Sequence, residues 1–351
     1  MYIDKSLKNM NKCLLPKTVI TFNQDRYDPT IDYLKGLCIL FVVMQHSMSP
    51  LLHRYILFAL WGRFAVPLFI LIQVFHAYKR IHEGKEIAFS FGKVWHRVIK
   101  PFLLVQVLLL IYTFLFTEKS IWDIIEPMIY TGGMGSGGYY PWIYVQFAIV
   151  LPLLAPIFKK YGDSPYLLIA FIVLSQLLEV ACCLLSMPEW LYRLCGIRYF
   201  FIVYLGYILV TKGFSLNTKN TIIAVISFFF VIFFSLFDYD LRPLFYTGSP
   251  AWKQCHWICY FYMCYLLLGA LLSTYYLMPF ERLKNYVKLM GKYSYEIFMF
   301  QMLYFHLAMR VLPFFDGQFL RFIYMLLSVL ICIVPVVYYK SRINAIKINK
   351  N

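Results

Sequence analysis

The feature that most constrains this chain is a series of long stretches that are almost free of charged residues. Residues 102–116, 166–185, 221–237 and 322–339 are of this kind, and they approach the roughly 20 residues that cross a bilayer as an α-helix. Across the chain 61% of the residues are hydrophobic and only 14% are charged, whereas soluble domains average about 25% charged residues. The sequence therefore predicts an all-α, polytopic transmembrane helix bundle.

Apolar runs separated by polar breaks predict ten membrane spans. They lie near residues 33–50, 56–78, 98–117, 141–158, 165–186, 197–211, 220–237, 257–278, 292–312 and 318–340. Residues 1–30 are then a cytoplasmic N-terminal segment, 31–340 the membrane domain and 341–351 a cytoplasmic tail. The first apolar run follows a long polar and basic segment, so we expect no cleavable signal and expect the first span to direct insertion.

The basic residues outnumber the acidic ones, and the net charge of +16 would suggest nucleic-acid binding in a soluble protein. Here they cluster in alternate connections, as Lys and Arg do on the cytoplasmic side of membrane proteins. Such pairs are Lys79 and Arg80, Lys159 and Lys160, Lys212 and Lys219, Arg282 and Lys284, and Lys340 and Arg342. The pattern predicts that both termini are cytoplasmic and that nucleic acid is not a partner. The nine cysteines show no zinc or disulfide spacing, and no metal is expected.

A glycine-rich stretch, residues 131–138, falls in a connection predicted to be extracytoplasmic. A phosphate-binding loop is one interpretation, although no Lys-Ser or Lys-Thr follows the glycines as such a loop requires. A lid or surface for an extracytoplasmic acceptor is a second, and a flexible connector is a third. The sequence leaves these interpretations open.

The first predicted span contains two ionisable residues, Lys35 near its cytoplasmic end and His46 well inside it. Eleven residues rotate an α-helix to about 20° past three full turns and advance it by about 16 Å, so both side chains share one face at different depths. This arrangement suits an extended substrate with a charged head near Lys35 and a reactive end near His46. Imidazole is well placed to remove a hydroxyl proton at neutral pH. The alternative is that His46 only bonds a neighbouring helix and that Lys35 is a cytoplasmic anchor.

Several short motifs resemble the acyltransferase 3 family. They are residues 31–36 followed by His46, then 66–69, 97–101, 140–144 and 291–298. The chain departs from the family pattern at three places. Gln73-Val74-Phe75 replaces a Ser-Gly-Phe, Lys100 replaces a second arginine, and Gln301 replaces a histidine that many members carry.

The resemblance implies a membrane-bound O-acyltransferase in which His46 is catalytic, as general base or as transient acyl carrier. Charge suggests that Lys35, Arg97 and Lys100 bind the phosphates of acetyl-CoA or another acyl-CoA donor. Ionisable and amide groups in or beside spans are functional candidates, although such groups are more often structural. The substrate-binding candidates are Asp32, Arg63, Gln73, Glu179 and Gln301.

The function expected from the resemblance is transfer of an acyl group, with acetyl the first choice, to a hydroxyl of an extracytoplasmic polysaccharide or glycolipid. The protein is then a multi-pass component of the inner (plasma) membrane that contacts membrane lipid, acyl-CoA and a carbohydrate acceptor. A homo-oligomer or a partner from envelope biosynthesis stays open. The alternatives are a transporter or flippase of a lipid-linked glycan, which also needs intramembrane polar residues, and a non-catalytic scaffold.

Overall fold

A computed structural model describes residues 28–85, 87–237, 240–246, 254–308, 314–315 and 317–348 of the chain, without the side chains of 344, 345, 347 and 348. The predicted N-terminal segment 1–30 therefore lies almost entirely outside the described residues. The end of the predicted span 292–312 and the end of the predicted tail 341–351 lie outside them as well.

The described part of the chain consists of helices joined by loops and contains no β-strand. In chain order the helices are α1 Pro29–Ser47, α2 Pro50–Tyr55, α3 Phe58–His82, α4 Phe91–Phe116, α5 Ile121–Thr131, α6 Tyr140–Tyr161, α7 Pro165–Leu184, α8 Glu189–Leu194, α9 Phe200–Lys212, α10 Thr218–Leu236, α11 Trp257–Leu277, α12 Glu281–Lys292, α13 Ser294–Ala308 and α14 Gln318–Ile348.

Seven of these helices are long and apolar enough to cross a membrane: α3, α4, α6, α7, α10, α11 and α14. The prediction of an all-α transmembrane bundle is thereby confirmed in its class. Three further predicted spans correspond to α1, α9 and α13, which are more polar or shorter; α9 has 13 residues and α13 has 15 described residues. Ten spans and two cytoplasmic termini stay predictions.

The more polar helix α1 lies in the middle of the bundle rather than at its lipid-facing surface. It packs against α3, α12, α13 and α14, and residues such as Tyr33, Cys38 and Val43 are fully buried. Helices at the periphery, in contrast, present exposed apolar side chains, for example Leu104 and Leu115 of α4. A helix surrounded by other helices can carry ionisable residues because protein groups, not lipid, surround them.

Two glycines bring α1 and α12 into close contact. A Cβ atom on Gly291 would lie 1.6 Å from the carbonyl oxygen of Asp32, and one on Gly36 would lie 2.0 Å from the carbonyl oxygen of Val287. Small residues at a helix crossing let the two backbones approach closely. Because Lys35 and Lys292 adjoin these glycines in sequence, the crossing sets the position of both.

Local signals fix where α1 begins and ends. Asp28 is its N-cap and accepts a hydrogen bond from the backbone N–H of Thr30 at 2.9 Å, while Pro29 occupies the first turn, where a missing N–H costs nothing. The helix ends at Ser47, just before the Ser49-Pro50 start of α2. His46 consequently lies in the last turn of α1.

Candidate active site

Two cavities adjoin within the bundle. The first, called the His46 cavity, has a volume of about 550 Å³. The second, called the Lys35 cavity, has a volume of about 490 Å³. Val42, Val66, Tyr140 and Phe298 line both cavities, so these four side chains form a shared apolar wall. The rings of Tyr140 and Phe298 meet edge to face at 5.5 Å between centroids.

The His46 cavity is lined by the C-terminal end of α1, which carries His46, and by arginines, tyrosines and the glycine-rich loop. Its other polar and aromatic lining includes Gln45, Arg63, Ser136, Tyr139, Glu189, Arg193, Tyr199, Phe305, His306 and Tyr324. Such a mixture of aromatic faces and hydrogen-bonding groups is typical of small-molecule sites. These residues come from α1, α3, α8, α13, α14 and the loops between helices.

The His46 side chain is accessible from its cavity. Its ring lies 5.9 Å from the ring of Phe305, centroid to centroid. Within the described residues no group forms a hydrogen bond with the His46 imidazole, which leaves a ring nitrogen able to accept a proton. The neighbouring His306 is bound differently, because its Nε2 lies 2.9 Å from Oγ1 of Thr113 on α4.

Two arginines line the same cavity. Arg63 donates a hydrogen bond from Nη1 to Oε1 of Gln254 at 3.2 Å. Arg193, carried by the short helix α8, has its guanidinium 5.2 Å from the centre of the Tyr139 ring. Arg198 lies among Tyr139, Tyr192 and Tyr199 and is buried.

The glycine-rich loop between α5 and α6 is fixed to the bundle by two amide side chains. Oε1 of Gln106 accepts from the Met134 backbone N–H at 2.5 Å, and its Nε2 donates to the Met134 carbonyl at 3.3 Å. Nε2 of Gln301 donates to the Ser136 carbonyl at 3.4 Å. Gly135 and Gly137 have φ of 83° and 89°, a backbone conformation that glycine adopts without strain. The loop is therefore held in place as part of the cavity wall, and its role toward an acceptor stays a prediction.

The Lys35 cavity collects cationic side chains at the other end of α1. Lys35, Arg97 and Lys292 line it together with His76, and the polar groups of Gln73, Tyr144, Ser294 and Tyr295 complete its surface. Lys35 also forms an ion pair with Asp32 at 2.5 Å, one helical turn away. Arg97 belongs to a π-helical turn, Trp95–Ile99, at the start of α4, a distortion that is frequent at functional sites.

The structure brings five of the predicted site residues to the two cavities. His46 and Arg63 line the first, whereas Lys35, Gln73 and Arg97 line the second. Gln73 also donates from Nε2 to the Tyr144 carbonyl at 3.0 Å. The chemical roles of these five residues stay predictions.

Four other predicted residues lie away from the cavity linings. Asp32 and Gln301 are buried and contact Lys35 and the glycine-rich loop, so they are placed to position the site. Lys100 is exposed. Glu179 accepts from the Tyr192 hydroxyl at 2.7 Å and from the Tyr246 N–H at 3.1 Å, so its carboxylate is held inside the bundle and lines neither cavity.

The sequence patterns do not single out Arg193 or Lys292 as site residues. Arg193 lies in a connection predicted to be extracytoplasmic, so its positive charge runs against the usual distribution of basic residues. This exception in the charge pattern could have identified Arg193 as a candidate site residue. Lys292 belongs to the 291–298 motif, but only the crossing of α1 and α12 reveals that it lies beside Lys35.

Comparison with known proteins identifies one family. The sequence model of the acyltransferase domain of the acyltransferase 3 family matches residues 28–338, which includes both cavities and nearly every described helix. No curated protein and no solved structure matches the chain. The match extends over most of the chain and agrees with the motifs around His46 and Arg97, and the chain therefore belongs to the acyltransferase 3 family of membrane acyltransferases.

Proposed function

We propose that this acyltransferase takes an acyl group, acetyl in the first instance, from acyl-CoA on the cytoplasmic side of the inner (plasma) membrane. It delivers the group to a hydroxyl of an extracytoplasmic polysaccharide or glycolipid. One observation supports this proposal most strongly: a cavity rich in cations and a cavity with an accessible histidine adjoin across a wall of four shared residues. Such a pair suits a donor and an acceptor that approach from opposite sides of the membrane.

The Lys35 cavity is the proposed donor site. Coenzyme A carries several phosphate groups, and Lys35, Arg97 and Lys292 supply three positive charges around one cavity. Arginine binds phosphate oxygens with two parallel hydrogen bonds, whereas lysine acts as a compact point charge. The phosphates would stay in this cavity while the flexible pantetheine arm, which carries the thioester, extends along α1.

The thioester has to reach the wall for transfer to occur. Lys35 and His46 are separated by about 16 Å along the helix axis, and the wall residue Val42 lies between them. Rotation of the Tyr140 or Phe298 side chain, both of which belong to the wall, would open a passage between the cavities. An extended arm anchored at Lys35 would then present its carbonyl carbon on the His46 side.

His46 would act on the acceptor hydroxyl. As a general base its imidazole takes the hydroxyl proton while the hydroxyl oxygen attacks the thioester carbon. The carbon–sulfur bond then breaks, and the coenzyme A thiolate leaves and regains a proton. In the second route the imidazole nitrogen attacks the thioester carbon first, the carbon–sulfur bond breaks, and the coenzyme A thiolate leaves. The acceptor hydroxyl then takes the acyl group from the imidazole and gives its proton to the released ring nitrogen. Both routes require an imidazole nitrogen free of structural hydrogen bonds.

The proposal is tested on cells and on the purified protein. The O-acyl content of the envelope polysaccharide is measured in cells with the gene, without it, and with the gene restored. We expect the O-acyl groups to disappear and return accordingly, and the purified protein to release free coenzyme A from acetyl-CoA only when polysaccharide from the deleted strain is added. Unchanged O-acyl content with accumulation of untranslocated lipid-linked glycan would instead indicate a flippase.

A further inference from the structure

The two arginines that line the His46 cavity have no acidic partner in the part of the chain that the structure describes. Among the described residues no carboxylate lies within ion-pair distance of Arg63 or Arg193. The Nε atoms of both side chains are buried, and no hydrogen-bond acceptor reaches them within the described structure. Charged groups removed from water are normally paired or hydrogen-bonded because their desolvation is costly.

The charge of this cavity is unbalanced. Besides Arg63 and Arg193 its described lining contains His46, His306 and a single carboxylate, that of the exposed residue Glu189. An acceptor site for a neutral sugar has no need of two guanidinium groups, since tyrosines and amides supply the hydrogen bonds that hydroxyl groups require. Guanidinium forks are instead suited to carboxylates and phosphates, which they bind through two parallel hydrogen bonds.

The imbalance is not explained by the coenzyme A phosphates. The proposed phosphate ligands Lys35, Arg97 and Lys292 lie in the other cavity, beyond the wall that includes Val42 and Phe298. The two sets of cations are therefore separate, and phosphates bound at the Lys35 cavity would leave Arg63 and Arg193 without an anion.

We infer that the acceptor bound in the His46 cavity is an anionic glycan whose carboxylate or phosphate contacts Arg63 and Arg193. This inference rests on the proposed function, which assigns the cavity to the acceptor. The tyrosines of the cavity, Tyr139, Tyr199 and Tyr324, would contact the sugar ring, and the anionic group would orient it so that one hydroxyl faces His46.

The inference is tested by binding, which does not depend on acyl transfer. The full-length protein in detergent is titrated with three probes that share one ring: methyl glucoside, methyl glucuronide and methyl glucoside carrying a phosphate on its primary hydroxyl. We expect at least one charged probe to bind about tenfold tighter than the neutral one, as one charge-assisted hydrogen bond can provide. Preference for the uronide indicates a carboxylate, and preference for the sugar phosphate indicates a phosphate.

Variants locate the preference. Arg63→Gln and Arg193→Gln should each reduce the difference between charged and neutral probes, and Arg63→Lys and Arg193→Lys should retain part of it. Arg242→Gln is the matched control, because Arg242 pairs with Asp240 at 2.6 Å and does not line the cavity. Thermal unfolding of each variant verifies that it is folded.

Two results overturn the inference. One is equal binding of all three probes, including binding of none of them, and the other is a preference that both glutamine variants retain. Either result would contradict the anion site and leave the proposed acyl transfer to envelope polysaccharide standing, because that reaction is measured separately. Conversely, a clear preference for the charged probe without any acyl transfer would leave the anion site in place and contradict the proposed function.

Discussion

Lys35 and His46 lie on one helix, α1, yet they line different cavities. Val42, which lies between them on α1, belongs to the wall that separates these cavities. Their spacing therefore measures the distance from the proposed phosphate site to the proposed reaction site, about 16 Å along the helix. The length of α1 between these two residues thus sets the reach that the proposed donor needs.

Replacing His46 with Gln should reduce acyl transfer by about 10²–10⁴-fold, because glutamine can hydrogen-bond but cannot accept the hydroxyl proton. Acyl incorporation into polysaccharide, normalised to inserted protein, measures the effect. His82→Ala, at the exposed end of α3, is the control and should keep parental activity. Near-parental transfer by the His46→Gln protein would show that the histidine has only a structural role.

The donor cations should affect the apparent KM for acetyl-CoA more than kcat, since contacts remote from the reacting carbon contribute mainly uniform binding. Arg97→Ala and Lys292→Ala are each expected to raise this KM about tenfold. Lys284→Ala is the control, because Lys284 pairs with Glu281 at 2.6 Å and does not line the cavity. Unchanged KM values for both cavity variants would contradict the location of the donor site.

A larger side chain in the shared wall should hinder the passage of the acyl arm. Val42→Phe is expected to lower kcat for acyl transfer while the affinity for coenzyme A, measured by direct binding, stays close to that of the parent protein. Val42→Ile adds only one methylene group and serves as the matched control. Unchanged kcat for the Val42→Phe protein would show that the wall is not a passage. Equal losses of coenzyme A binding and of transfer would indicate instead that the substitution disturbs the bundle.

The crossing of α1 and α12 should not tolerate a side chain at Gly36 or Gly291. Gly291→Ala would place a methyl group 1.6 Å from the Asp32 carbonyl oxygen, and relieving such a clash costs about 1–3 kcal/mol in well-packed proteins. Gly92→Ala is the control, because nothing lies within 4 Å of a Cβ built there. Thermal unfolding in detergent should show a lower midpoint for the first variant only.

Because Gln106 attaches the glycine-rich loop to the bundle, we expect replacement of this residue to weaken binding of the acceptor. Gln106→Leu removes both hydrogen bonds to Met134 and leaves two backbone groups unpaired, at a cost of about 1–3 kcal/mol for each buried group. We expect a higher KM for the polysaccharide and an unchanged KM for acetyl-CoA. A change in the acetyl-CoA value alone would show that the loop serves the donor cavity instead.

The sequence alone determined the class of fold, because charge-free stretches of this length are stable as helices in a bilayer. It also determined the family, through local motifs around His46, Arg97 and Gly291, and it singled out His46, Lys35 and Arg97 by their type and spacing. Each of these signals is contained within one segment of the chain, so no knowledge of packing was needed.

Only the tertiary structure decided which residues share a cavity. Arg193 joins His46 because α8 packs against α5 and α6 at the His46 cavity, and Lys292 joins Lys35 because Gly36 and Gly291 allow two helices to touch. The same packing placed Gln301 behind the glycine-rich loop and Glu179 beside Tyr192 rather than in either cavity. These relations join residues far apart in sequence, and helix periodicity describes only the faces of single helices.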